Sequence, residues 1–223
     1  MVSLQAVYIK IVDLIFRRVI LLFLVGILLS YLFIDHNKIV LKTLNTLMPS
    51  SEDLSDFVNH PAQMDHQKLE DILIYYKYLY MIMGSDTFEK PAACGMVGYA
   101  YYYLGDEKRS IDYFLKSVKF FDRSFWTYYD LGVIYYNKEH YQQAMYYFSL
   151  AKEAYPYTMT YILSTRAFSQ IAATMKLTQN DFQKRLDQQA ENLKVLYTLS
   201  QLFNENSQLK NEFDRKRINL LLF

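Results

Sequence analysis

Four histidines, one cysteine and a scatter of carboxylates are the groups in this chain that could do chemistry. The histidines are His36, His60, His66 and His140, and none stands four residues from another histidine or from the cysteine. A zinc site on a helix needs ligands one turn apart on one face, so this spacing points to no metal site. Cys94 is alone, which excludes an intrachain disulfide and a multi-cysteine metal site. No histidine lies near it in sequence to activate it, and an inert core thiol is the expected role. Glu107, Asp112 and Asp130 are candidate carboxylates, but charges on helices usually mark solvated faces. The Gly-rich signatures that cradle phosphates are missing, and so is the G-x-S-x-G turn of a nucleophile elbow. The residues therefore point to a non-catalytic chain with no cofactor and no metal, whose chemistry is binding.

Composition agrees with a binding role and narrows it. Of 223 residues, 52% are hydrophobic and 21% charged, enough apolar material for a core. A net charge of +1 gives no electrostatic reason to expect nucleic acid. Only 6 Gly and 4 Pro are present, which favours helices over many short strands. The 22 Tyr are conspicuous, because a ring with a polar tip suits helix packing and interaction surfaces alike.

The elements that must position these residues begin with an apolar run. Residues 19–34 read VILLFLVGILLSYLFI without a charge, and thirteen of the sixteen are Leu, Ile, Val or Phe. Insertion of those thirteen into a bilayer is favoured by about 4–8 kcal/mol. As a helix the run is about 24 Å long, short of a hydrocarbon core of about 30 Å. Snorkelling by Arg17 and Arg18 lets Ile15 and Phe16 extend it. Residues 1–36 are therefore read as an uncleaved membrane anchor that contacts lipid through 15–34. The run is long for a signal peptide and no A-x-A-like site follows it. Lys10, Arg17 and Arg18 precede it while Lys38 and Lys42 follow, which places the N-terminus on the cytoplasmic side and the body on a periplasmic-type side.

Residues 37–64 read as a stalk with short helical pieces, with Ser51 as an N-cap after Pro49 and a break at His60-Pro61. Helices are then expected over 66–83, 88–104, 106–121, 124–137, 139–154, 158–176, 180–203 and 207–221. Gly84, Gly105 and Tyr155-Pro156 act as stops. Thr178 and Asp181 have capping-box spacing. The last helix carries Arg215-Lys216-Arg217 ahead of Leu220–Phe223 and is read as a surface helix with a packed apolar end. The fold class is all-α.

One stretch occurs twice. Residues 98–114 read GYAYYYLGDEKRSIDYF and residues 132–148 read GVIYYNKEHYQQAMYYF, thirty-four residues later. Gly98 aligns with Gly132, Tyr101 with Tyr135, Tyr113 with Tyr147, and Phe114 with Phe148. Small residues recur at Ser110 and Ala144, and again at Ser117 and Ala151, where two helices must approach closely. Leu131-Gly132, Tyr135, Ala144, Phe148, Ala151 and Pro156 stand at the spacing of the tetratricopeptide repeat, which this chain resembles. Tyr128 holds that family's leading aromatic position. The unit at 91–124 departs more, with Cys94 for the aromatic, Ser for both Ala and Asp122 for Pro. The resemblance implies two antiparallel helix hairpins in a right-handed superhelix, within a repeat region at 65–158 and capped by helices over 159–223.

It also implies a concave groove lined by the first helix of each repeat. The residues at groove positions are Ala92, Gly95, Met96, Tyr99, Tyr102 and Tyr103 in the first, and Trp126, Tyr129, Asp130, Val133, Tyr136 and Asn137 in the second. No Lys or Arg is among them, which argues against a carboxylate clamp. An aromatic groove suits an apolar helix or extended segment, with Tyr hydroxyls and Asp130 as polar guides. The competing expectation is that the chain's own flanking helices fill it. The function that follows is a membrane-anchored interaction module, a scaffold, assembly factor or accessory subunit of a membrane complex. The alternative is a chaperone-like module that takes unfolded or translocating clients into the groove.

Overall fold

The computed structural model describes residues 19–27, 29–30, 38–84, 87, 89–162 and 178–206. Among them every regular element is a helix or helical turn, so the described fold is all-α. The chain divides into two compact units, Met1–Thr46 and Leu47–Phe223.

In the first unit, residues 19–27, 29–30 and 38–46 are helical. The nine large apolar side chains described between positions 19 and 29 are all exposed, from 42% for Ile20 to 71% for Leu22. No helix among the described residues is long and apolar enough to cross a membrane. Residues 15–18, 28 and 31–34 of the expected span lie outside the described residues.

The second unit contains α1 (Ser51–Asn59), a 3₁₀ turn (Pro61–Gln63), α2 (His66–Ile82), α3 (Glu89–Tyr103), α4 (Glu107–Phe120), α5 (Phe125–Asn137) and α6 (Tyr141–Tyr157). A π turn (Thr158–Ile162) and the long α7 (Gln179–Glu205) complete it. The helices expected over 163–176 and 207–221 lie outside the described residues.

Local sequence sets most of the boundaries. Asp106 caps α4 by accepting the Arg109 N–H, and Ser124 caps α5 through Thr127. Thr178 and Asp181 form a reciprocal capping box on α7, as their spacing predicts. The cap of α1 is Ser50 rather than Ser51: its Oγ accepts the Asp53 N–H at 3.0 Å. Pro156 does not end α6, which continues to Tyr157 before widening into the π turn. A proline lacks the N–H of a regular ladder, and the wider turn directly after it is where that ladder gives out.

Helices α3 and α4 run antiparallel. Ser117 near the end of α4 donates to the Pro91 carbonyl near the start of α3 at 2.8 Å, and Tyr101 near the end of α3 meets Arg109 near the start of α4. Between these points Gly98 faces Phe114. The pair α5–α6 repeats the arrangement, with Gly132 against Phe148 and Tyr135 stacked on Tyr147 at 5.3 Å.

The two turns are the same turn. Gly105 has φ +80°, and thirty-four residues on Glu139 has φ +64°. Each makes the same backbone bonds: Gly105 to the Tyr102 carbonyl and Glu139 to the Tyr136 carbonyl, then Asp106 to Tyr101 and His140 to Tyr135.

Flanking helices close the stack. Helix α2 packs on α3, and α7 packs on α6 and α5. The residues read as a stalk contribute to the core, because α1 buries Leu54, Phe57 and Val58. Phe57 is fully buried between Tyr76, at 6.1 Å, and Tyr99, at 5.1 Å edge to face.

Candidate partner-binding site

Helices α3 and α5 are the first helices of the two repeats, and they carry every residue expected in the groove. The structure divides those residues into two groups. Tyr129 and Val133 are fully buried, and Tyr136 and Asp130 nearly so. The reason is α7, which presents Phe182, Leu186, Leu193, Leu196, Leu199 and Phe203 inward at helical spacing. Phe203 closes on Tyr136 and Tyr141, at 6.3 and 5.4 Å between ring centroids. Asn192 lies beside the Tyr129 hydroxyl. Burial pushes that hydroxyl well above the ordinary tyrosine range, and the nearby Asp130 carboxylate adds to the effect.

In the first repeat, Tyr99 is 2% exposed beneath Phe57 of α1. Its hydroxyl is likewise held far above the usual range, by burial first, then by Tyr103 and Asp130. Arg185 of α7 donates to the Val58 carbonyl of α1 at 3.0 Å, tying the two covering helices together. Half-buried Tyr103 meets the rings of Tyr99 and Tyr102 at 4.9 and 5.3 Å. Tyr102 accepts a hydrogen bond from exposed Asn137 at 3.3 Å, bridging the two repeats. Of the two expectations for the groove, one open along both repeats and one filled by the chain's own flanking helices, the arrangement of α1 and α7 follows the second over most of its length.

What remains is a cleft of about 400 Å³. On the repeat side it is lined by Ala92, Gly95, Met96, Tyr99, Trp126 and Asp130. Leu54 and Val58 of α1, Tyr75 and Leu79 of α2 and Phe182 of α7 supply the other walls. Ala92, Glu89 and Arg123 are exposed, so the cleft reaches the surface. Arg123 lies over the Tyr157 ring at 5.3 Å. Of the expected groove residues, Ala92, Gly95, Met96, Tyr99, Trp126 and Asp130 meet at this cleft. Tyr102, Tyr103, Tyr129, Val133, Tyr136 and Asn137 do not line it. Sequence reasoning missed the walls from α1 and α7. The apolar triplet Leu54, Phe57 and Val58, at i, i+3 and i+4, was the available signal. The cleft is apolar, concave and of a size that holds a small ligand or a few side chains. Among the described residues no group of three His, Cys, Asp or Glu is placed to hold a metal ion.

Residues 91–120 and 127–158 match the tetratricopeptide repeat family. Over these two segments the chain is similar to two tetratricopeptide repeats. The matched segments coincide with the hairpins α3–α4 and α5–α6. Repeats of this family are non-catalytic modules that in general mediate protein–protein interaction. No curated protein matches the chain.

Proposed function

We propose that this protein is a membrane-anchored, non-catalytic interaction module, an assembly factor or accessory subunit of a larger membrane complex. The observation that carries the reading is the surface cleft formed where the first helices of both repeats meet α1, α2 and α7. It receives an apolar side chain or short apolar segment of a protein partner, with Met96 and Trp126 as contact surfaces and Asp130 as a polar guide. The anchor is the apolar run 15–34. Its support is the uncharged stretch 19–34 and the exposure of all nine large apolar side chains described between 19 and 29. The N-terminus lies on the cytoplasmic side and the helical unit on the other, following Lys10, Arg17 and Arg18 ahead of residues 19–34.

The test is gentle detergent extraction of the tagged full-length chain, followed by sizing and mass spectrometry. A discrete set of membrane proteins in fixed ratio is expected. Ala92→Trp fills the cleft from an exposed position and removes that set without unfolding the chain. A lone monomer, or a smear of unrelated clients untouched by the substitution, overturns the subunit reading, and the smear supports a chaperone. Resistance to alkaline extraction tests the anchor separately.

A further inference from the structure

Along the α2–α4 seam and the end of α3, four rings form a continuous row: Tyr80 of α2, Tyr101 of α3, and Tyr113 and Phe120 of α4. Tyr101 lies 5.6 Å from Tyr113, Tyr113 is 6.1 Å from Tyr80, and Tyr80 is 6.2 Å from Phe120. Each ring carries a cation. Lys77 and Arg109 sit over Tyr101 at 4.9 and 5.0 Å, and Lys116 sits over Tyr113 at 4.3 Å. Lys90 lies over both Tyr80 and Phe120, at 5.1 and 5.5 Å. Asp106 engages Arg109 at 2.6 Å, and the exposed Asp112 stands on the same helix. Positive charge is still in excess along the row.

Large apolar side chains stand exposed beside it. Ile74 and Met81 flank Lys77 on one face of α2, three residues before and four after, and are 49% and 71% exposed. Phe120 ends the row at 38% exposure. Exposed Ile, Met and Phe beside lysines on apolar stems, with Tyr rings that keep a polar tip, match what sits well at a lipid–water interface. A protein-facing surface of this charge would ask for a dense acidic partner, and such a partner has no use for a 71% exposed methionine.

We infer that the α2–α4 seam is a bilayer-docking face for anionic phospholipid headgroups, with Met81, Ile74 and Phe120 entering the interface and Lys77, Lys90, Arg109 and Lys116 facing the phosphates. The face stands on its own geometry. Its strength rests in part on the anchor proposed above, because a tether to the same bilayer turns weak docking into an intramolecular event.

The test uses the full chain carrying Met81→Cys and Cys94→Ser, labelled at position 81 with an environment-sensitive fluorophore. It is reconstituted into phosphatidylcholine vesicles with or without phosphatidylglycerol at about one lipid in three. The label's emission shifts to the blue in the anionic vesicles only. The shift is lost in salt on the order of 1 M, where the Debye length is about 3 Å. Lys77→Gln with Lys116→Gln lowers docking by about 25-fold, roughly fivefold per cation. The exposed Lys116→Gln alone keeps the test alive should the pair perturb folding. A label at Gln188, on α7, stays unshifted. Equal emission at 81 in the two vesicle types overturns the proposal. So does an equal shift at 188, or a shift produced by soluble polyglutamate and not by anionic lipid. Failure of the anchor reads differently, as failure of the chain to float with neutral vesicles in high salt.

Discussion

Alanine at each of three helical glycines separates the repeat packing from helix propensity alone. Gly132→Ala is the severe case. A Cβ there would meet Cδ1 and Cε1 of Phe148 well inside 3.0 Å, closer than real Cβ atoms come. The ring cannot retreat, because Phe148 is fully buried and stands 6.2 Å from Tyr129, itself fully buried under α7. Overpacking of this kind costs about 1–3 kcal/mol, and the upper part of that range applies where both neighbours are fixed. Alanine returns about 1 kcal/mol of helix propensity. The net loss is about 1–2 kcal/mol. At Gly98 the new Cβ meets the Phe114 ring at 3.0 Å and the Ser110 carbonyl at 3.1 Å, a tighter than ordinary fit, so propensity and crowding nearly cancel. At Gly95 the nearest atoms are Ser117 Oγ at 3.6 Å and Thr127 Oγ1 at 3.7 Å, ordinary contacts. Gly95→Ala therefore stabilises by about 0.5–1 kcal/mol. Urea denaturation followed by helical circular dichroism reads the order: Gly95→Ala most stable, Gly98→Ala close to the parent, Gly132→Ala least. Adding Phe148→Leu to Gly132→Ala recovers part of the loss. Equal stability of the three variants would refute the close approach of α5 and α6 at Gly132.

Three further outcomes follow from single sites. Burial pushes the Cys94 thiol up to about 12 from 9.0, with Lys116 and Lys90 opposing it, so its stabilising effect is whole below pH 9.0 and lost as pH rises toward 12. Native protein at neutral pH should resist thiol reagents, with labelling appearing only in denaturant; fast stoichiometric labelling would contradict the burial. Glu139→Gly relieves a left-handed φ that its counterpart Gly105 adopts freely, and raises stability by about 1 kcal/mol in the same denaturation assay. Tyr129→Ala costs about 3–5 kcal/mol of stability, since the ring is interior and not on an open groove, whereas Ala92→Trp leaves the melting transition in place.

Legibility in the sequence followed the range of the interactions concerned. The thirty-four-residue echo placed both hairpins, because small residues at Gly98, Gly132, Ala144 and Ala151 and rings at Phe114 and Phe148 repeat within one window. The caps at Asp106, Ser124 and Thr178 were legible for the same local reason. The occupied groove was not. Phe57 covers Tyr99 across a long loop of chain, and Arg185 meets Val58 at a separation of 127 residues. No periodicity records such pairings. Glu139 shows a subtler failure: no glycine marks the turn, yet aligning it with Gly105 gives the left-handed backbone away.

The occupation of the groove also decides where a partner can act. Helix α7 has 27 residues, about 40 Å of helix, far more than an end cap for one hairpin needs. It reaches from Phe182 at the cleft to Phe203 against Tyr136. A partner helix seeking the same surface competes with a covalently tethered one, whose effective concentration is on the order of millimolar. At micromolar concentration and equal intrinsic affinity the partner loses about a thousandfold. A synthetic peptide of residues 179–206 should therefore fail to bind the parent chain, and should bind once Leu186→Ala and Leu196→Ala, both at fully buried positions, loosen the resident helix. Binding to the parent chain with micromolar affinity would mean that α7 leaves the groove readily. Without that result, the cleft beside Met96 and Trp126 stays the part of this surface proposed above for a partner.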